Sequence, residues 1–501
     1  MWAASARPLT SLEMAVVEAN AVALGATIDF LMENAGRAVA EESIRHLPSP
    51  PARVAVIAGS GNNGGDATCA TFYLHQWGYS PEVWLVRPPS EITSRAARRC
   101  FERIERRCPI HVGIPTSEEL ATVPLVVDGL LGTGQGGRLR SPIRETVLAI
   151  RESRVPVLSI DLPTGVGDPD GLRPAWTVTL TCPKEEMLPE TSGEVSIRDI
   201  GVPADAWRRT GPGEFLFFPP PTGRGDRGRT GRVVIVGGGP YAGAPALSAL
   251  AALRSGAERA TVLAPEGAAD RVQSFSPNLV VRPFGVEHFR PTDVPEIVEF
   301  IRTSHPKAVA LGMGAGAHAD TVRAFAELER ALVGTVPLLV DADGLAGLPR
   351  AEEIRESAKS PVVVATPNGG EYERYFRGSA DGEPAARLER ARATAADRHV
   401  TLVVKGEPDL LSDGESAFEN GHHHPAMTVG GVGDVLGGVI VSLLAQGVYP
   451  LHAARLGTWW VGEAGTRMAA RKSFGLTATD VIEELPGVLV TALERLHSAG
   501  N

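Results

Sequence analysis

Lysine is scarce in these 501 residues: five, at positions 184, 307, 359, 405 and 472, among 49 basic residues. Genome composition explains the arginine bias, yet it makes any lysine inside a motif stand out. Cysteine is scarcer still, with four residues (Cys69, Cys100, Cys108, Cys182) and no CxxC pair. That excludes a zinc ribbon or a disulfide framework and leaves reduced thiols in a cytoplasmic protein as the expectation. Long apolar runs are missing too. The longest, residues 435–445, is too short and too rich in glycine to span a bilayer, and Glu13 and Glu18 fall where a signal core would run. A basic excess is also absent. The net charge of −10 argues against a nucleic-acid partner, which would need a basic face. Anionic ligands stay open, because backbone amides and single lysines hold phosphate locally.

What is present fits a soluble globular chain of more than one domain, with 43% hydrophobic and 22% charged residues. A Pro-Pro-Pro stretch followed by glycine and charge divides it, giving expected domains at 1–218 and 231–501 and a linker at 219–230. The first half carries short apolar runs at 54–58, 83–86, 125–127 and 157–160, separated by helical stretches at 67–77 and 144–152. The second half repeats the logic with runs at 233–236, 260–263, 308–311, 337–340, 362–365 and 402–404, and helices at 244–255 and 432–445. Buried strands alternating with helices predict an α/β fold in each half, with ligands at the carboxyl ends of the strands.

In the first half, the strand at 54–58 runs into Gly59-Ser60-Gly61-Asn62-Asn63-Gly64-Gly65-Asp66 and a helix. Glycines let backbone approach a ligand, and a helix start offers free amides to an anion. The strand at 125–127 leads into Asp128-Gly129-Leu130-Leu131-Gly132-Thr133-Gly134-Gln135-Gly136-Gly137-Arg138, and that at 157–160 into Asp161-Leu162-Pro163-Thr164-Gly165. A parallel sheet puts these loops on one edge, so Asn63, Asp66, Asp128, Asp161 and Thr164 are expected to converge. Such hard oxygen ligands suit a cation beside a polar substrate. Caps and turns are the bland alternative for any single aspartate.

These motifs, with Glu18-Ala19-Asn20, Leu31-Met32-Glu33-Asn34-Ala35-Gly36 and Asp199-Ile200-Gly201-Val202-Pro203, resemble NAD(P)H-hydrate epimerases over most of residues 12–205. The resemblance implies a Rossmann-like α/β/α sandwich and a potassium ion held by Asn63, Asp128 and Thr164. It implies a substrate site of Asn62, Asn63, Gly64, Gly65, Asp66, Gly132, Thr133, Gly134, Gln135, Gly136, Gly137, Arg138 and Asp161, with Asp161 the acid/base candidate. Ala67 stands where many members have glycine, and Thr164 where many have serine; threonine keeps the hydroxyl.

In the second half, Met427-Thr428-Val429-Gly430-Gly431-Val432-Gly433-Asp434 opens a helix. Exposed amides there hold an anion, and Asp434 stands ready to take a proton from an attacking hydroxyl. A glycine-cushioned buried helix accounts for Gly437 and Gly438, but an aspartate in so apolar a segment is costly without a task. Lys405-Gly406-Glu407-Pro408-Asp409 and Thr366-Pro367-Asn368-Gly369-Gly370-Glu371 each follow a strand, as do Asp341-Ala342-Asp343 and Gly312-Met313-Gly314. Their ordered combination, from about residue 231 to 489 and including Tyr241-Ala242-Gly243-Ala244, is similar to ADP- or ATP-dependent NAD(P)H-hydrate dehydratases of the ribokinase-like fold.

That similarity implies a nucleotide site at Lys405, Gly406, Glu407, Pro408, Asp409, Met427, Thr428, Val429, Gly430, Gly431, Val432 and Gly433. Ala244, Gly314, Thr366, Pro367, Asn368, Gly369, Gly370, Glu371 and Asp434 are implied to contact the hydrate, Asp434 as catalytic base. Asn368 replaces a frequent histidine and Val432 a frequent threonine. The fused order predicts repair of hydrated NADH and NADPH: one half epimerises R and S hydrates, the other dehydrates the S form with ADP or ATP and magnesium. Homo-oligomers are implied as well. The competing expectation is a ribokinase-like small-molecule kinase fused to a non-catalytic nucleotide-binding module. His422-His423-His424 reads as a polar loop and Trp459-Trp460 as core or interface.

Overall fold

The computed structural model describes residues 7–133, 137–219, 231–357, 362–379 and 381–499. It divides into two compact units, the second spanning Trp207–Glu494. The division thus falls upstream of the boundary expected at 218. The reason is the turn Pro212–Phe217, where Phe215 packs edge-on to Trp459 and Trp460 and Glu214 pairs with Arg455 at 2.9 Å. The expected linker, apart from Pro219, lies outside the described residues. Among the described residues no helix is long and apolar enough to cross a membrane.

The first unit is built on strands β1 (Arg53–Ala58), β2 (Ser80–Leu85), β3 (Ile110–Val112), β4 (Val126–Gly129), β5 (Val157–Ile160), β6 (Trp176–Leu180) and β7 (Glu194–Arg198). All neighbours pair in parallel, in the order β3-β2-β1-β4-β5-β6-β7. Side chains alternate across a strand. Val54, Val56 and Ala58 of β1 therefore enter one apolar cluster, and Ala55 and Ile57 the other. Both faces of the sheet are covered, as continuous apolar strands require. The chain moves outward from β1 to β3 and then restarts at β4 on the other side of β1. This reversal is a switch point, where open α/β sheets leave a crevice for a ligand.

The second unit contains β8 (Arg232–Val236), β9 (Arg259–Ala264), β10 (Val280–Pro283), β11 (Ala308–Leu311), β12 (Leu338–Val340), β13 (Val363–Ala365), β14 (Thr401–Val404), β15 (Asp409–Ser412) and β16 (Ala417–Asn420). Their order is β10-β9-β8-β11-β12-β13-β14-β15-β16, parallel through β14 and closed by antiparallel β15 and β16. A second switch point lies at β8 and β11. Helix Val432–Ala445 crosses helix Gly243–Arg254 so closely that a Cβ on Gly438 would sit 2.2 Å from the Ser248 carbonyl oxygen. Gly437 likewise makes room for Met313. These two glycines serve packing, and Asp434 is left to be explained by chemistry.

Candidate functional site

Each unit has a cavity at the carboxyl edge of its sheet. In the first unit the cavity measures about 950 Å³ and lies at the β1/β4 switch point. Asn62, Asn63, Asp66, Gly132, Thr133, Gly137, Arg138 and Asp161 line it, as the sequence led us to expect. Gly134, Gln135 and Gly136 lie outside the described residues. Gly64 and Gly65 are not on its wall. Helix Asn62–Gln76 starts within the glycine-rich segment, and a Cβ on Gly64 would meet the Gly59 carbonyl at 1.9 Å, one on Gly65 the Met32 side chain at 2.7 Å. Their task is to let the helix start against the sheet, with its first-turn amides free. Ala67 is accommodated the same way, because its methyl occupies the space that a side chain on Gly129 would take.

Asp128 lies behind the wall, fully buried on β4. Its carboxylate accepts hydrogen bonds from Thr164 Oγ1 (2.7 Å), Ser159 Oγ (2.8 Å), Thr164 N (3.1 Å) and Leu130 N (3.2 Å). No cationic side chain is within ion-pairing distance among the described residues, and burial raises its pKa. Nearby, Asn63 carries a buried side-chain amide atom without a partner, and Gly132 packs against that same amide. The buried Asp128 carboxylate, the Thr164 hydroxyl oxygen and the Asn63 side-chain carbonyl oxygen together offer the oxygen ligands that fit a hard monovalent cation.

Sequence reasoning missed two residues of this site, Lys184 and Glu18. Lys184 is 1% exposed and ion-pairs with Asp161, while donating to Thr179 Oγ1 (3.1 Å) and the Leu180 carbonyl (2.8 Å). Its rarity was the available signal. Asp161 holds a left-handed backbone (φ 64°) at the end of β5, a costly conformation that turns its carboxylate to this lysine. Glu18 reaches the same cavity from helix Ser11–Ala23. Burial, then the charge of Asp161, raises its pKa to about 7. Asp66 is also raised, by burial first and then by Asp161 and Glu18.

In the second unit a cavity of about 580 Å³ brings together Ala244, Gly430, Gly431 and Asp434, with Tyr241 and Phe275 at its rim. Gly314 adjoins it, since a Cβ there would stand 2.4 Å from the Tyr241 carbonyl and 3.0 Å from Ala244. Asp434 occupies the first turn of helix Val432–Ala445, which starts from left-handed Gly431 (φ 96°). Burial, then the charge of Asp341, raises the Asp434 pKa to about 7. Lys405 bonds to Asp341 at 2.7 Å, and a Cβ on Gly433 would lie 3.3 Å from its ammonium. Burial alone would lower the Lys405 pKa, but Asp341 and more distant Glu371 and Asp434 outweigh it and raise it. The ammonium therefore sits charged at the helix start.

Other expected contacts are occupied internally. Asn368 caps helix Gly369–Phe376 in a reciprocal box with Glu371, at 2.9 and 2.8 Å. This capping role suits asparagine. Asp409 holds its own loop, accepting from Gly406 N and Asn420 Nδ2. Met427 packs on Gly465, whereas Thr428, Val429 and Gly430 are exposed ahead of the helix. His422 bonds to Glu463 at 2.7 Å, and His424 accepts from Ala426 N.

Residues 233–487 match the sequence model of a family described as NAD(P)H-hydrate dehydratase, and residues 28–186 one described as YjeF-related protein N-terminus. The bifunctional NAD(P)H-hydrate repair enzyme Nnr of Hyperthermus butylicus is 34% identical, over 97% of this chain and 93% of its own. That of Pyrobaculum aerophilum is 34% identical, over 96% of this chain and 98% of its own. A solved ADP/ATP-dependent NAD(P)H-hydrate dehydratase from Bacillus subtilis, co-crystallized with ATP and Mg²⁺, is 20% identical, covering 56% of this chain and 96% of its own at a TM-score of 0.44.

Proposed function

The chain belongs to the family of bifunctional NAD(P)H-hydrate repair enzymes, and on that premise we propose that its first unit interconverts the R and S hydrates of NADH and NADPH while its second dehydrates the S form. The observation that carries this reading is the pairing of two different sites on one chain. One joins carboxylates and a buried lysine around a cavity of nucleotide size, and the other sets Asp434 at a helix start beside Lys405. The kinase alternative, with a non-catalytic nucleotide-binding module in the first half, has no task for the carboxylates and buried lysine around that cavity.

In the first unit, the ring nitrogen of the hydrate expels the C6 hydroxyl and leaves a planar cation. Asp161 stabilises that cation electrostatically. Water returns to either face. Asn63, Asp128 and Thr164 would hold potassium, which supplies fixed positive charge for the substrate's anionic portion. The Asn62–Asp66 segment gives free amides to its phosphates.

In the second unit, the exposed segment of Thr428, Val429 and Gly430 and the helix start hold the phosphates of ADP or ATP, with magnesium. Lys405 adds the cation. Asp434 takes the proton of the C6 hydroxyl as it attacks phosphorus. Loss of the resulting phosphate together with a C5 proton restores the double bond.

Asp434 acts as base only when ionised, and its raised pKa sets where that happens. The rate of NADH recovery from S hydrate is therefore expected to rise as pH increases through about 7. It is expected to require nucleotide. Single-turnover absorbance traces at several pH values, with and without ADP or ATP and magnesium, check both. A rate independent of nucleotide would remove the phosphorylation step.

A further inference from the structure

Three carboxylates meet one ammonium in the first unit. Glu18 comes from helix Ser11–Ala23, Asp66 from helix Asn62–Gln76, Asp161 from the end of β5 and Lys184 from the segment after β6. The lysine is already committed. Its three donors go to Asp161, Thr179 Oγ1 and the Leu180 carbonyl, and it lies behind the wall rather than on it. Asp161 thus has a cation, while Glu18 and Asp66 have none within ion-pairing distance among the described residues. The two differ in reach. Both line the cavity, but Asp66 is buried whereas Glu18 is partly exposed to it, on a helix anchored by buried Met14, Val17 and Ala21.

We propose that Glu18 is the acid–base residue of the epimerisation, giving its proton to the departing C6 hydroxyl and recovering one from the water that adds. The inference rests on the epimerase reading and assigns the proton within it. When the C6–O bond breaks, its electron pair leaves with oxygen, which takes the Glu18 proton and departs as water. The nitrogen lone pair forms the N1=C6 bond. Water then bonds to C6 from either face, the nitrogen recovers its pair, and the surplus proton returns to the Glu18 carboxylate. Nothing is oxidised and no co-reactant is consumed.

Charge asymmetry assigns the labour. Asp161, paired with Lys184, faces the cationic ring as an anion. Glu18 stands among Asp66, Asp161, Lys184 and the Cys182 thiol, with negative charge in excess. It therefore holds a proton up to about pH 7. Lys184 tempers this without reversing it.

The test uses the full chain and a mixture of R and S NADH hydrate without nucleotide, so that dehydration is silent. Chromatographic resolution of the epimers follows their interconversion, on a timescale shorter than the spontaneous reaction. Glu18→Gln is expected to slow interconversion about 100-fold while hydrate still binds. The wild-type rate is expected to fall as pH rises through about 7, and that limb to vanish from the residual rate of Glu18→Gln. Glu18→Asp, with the same chemistry on a shorter arm, is expected to recover part of the rate and keep the limb, which a merely structural role would not do. A Glu18→Gln rate equal to wild type, or a residual Glu18→Gln rate that keeps the limb, would overturn the assignment to Glu18. A wild type no faster than the spontaneous reaction would overturn the epimerase reading and this inference with it.

Discussion

Replacing Asp434 by asparagine is expected to slow nucleotide-dependent recovery of NADH from S hydrate by roughly 10²- to 10⁴-fold, the range for loss of a positioned base. The substitution keeps shape and polarity and removes only the charge. It should not cost stability. The Asp434 pKa is raised, above all by burial, so the ionised form is disfavoured in the folded chain and destabilises it at any pH above the unfolded value. A neutral amide escapes that penalty, and the melting temperature is expected to stay level or rise. Loss of rate with gain of stability separates a catalytic carboxylate from a packing one. A melting curve and a single-turnover trace on the same preparation read both.

Lys184→Met is expected to do the opposite, costing both stability and epimerisation. The lysine is 1% exposed and its partner Asp161 is nearly as enclosed, so its removal strands a buried carboxylate beside Glu18 and Asp66. Breaking a buried pair from one side costs about 3–5 kcal/mol. The three carboxylates soften this by taking up a proton. Without the lysine the raised pKa values of Glu18 and Asp66 rise further, so the loss shrinks as pH falls toward the carboxylate range and grows above neutrality. Urea unfolding of wild type and variant at two pH values checks the sign. A loss independent of pH would mean that Lys184 acts by packing alone.

Much of this molecule was legible because buried parallel strands announce themselves. Val54 to Ala58, Ala308 to Leu311 and Leu402 to Val404 are apolar runs that end in the very loops forming the sites. β6 was hidden by its threonines. Thr177 and Thr179 look polar in sequence but are buried, satisfied by the Ser192 and Cys182 carbonyls at 2.6 and 3.1 Å. β3 and β7 are edge strands with exposed side chains, and β15 and β16 form a hairpin with Asp409, Ser412 and Asn420 among its residues. None of these carries an apolar run.

Site residues followed the same division. Asp128 lies near the end of β4, Asp161 directly follows β5 and Asp434 lies in the first turn of a helix, so each could be placed from its element. Glu18 reaches the cavity from a helix side and Lys184 stands behind its wall on a loop, and only tertiary packing sets either position. Gly64 and Gly65 carry a packing reason that the sequence did not show: they lie where a helix meets the strand end and its neighbours.

The most direct measurement of the central claim is the extent, not the rate, of absorbance recovery from mixed R and S NADH hydrate, with nucleotide and magnesium, on a timescale shorter than spontaneous epimerisation. Wild type is expected to restore all of it. Asp161→Ala is expected to stall once the S form is consumed, and Asp434→Ala to restore none. A wild type that stalls where Asp161→Ala stalls would contradict the epimerase role of the first unit. No nucleotide-dependent recovery by wild type would contradict the repair function as a whole.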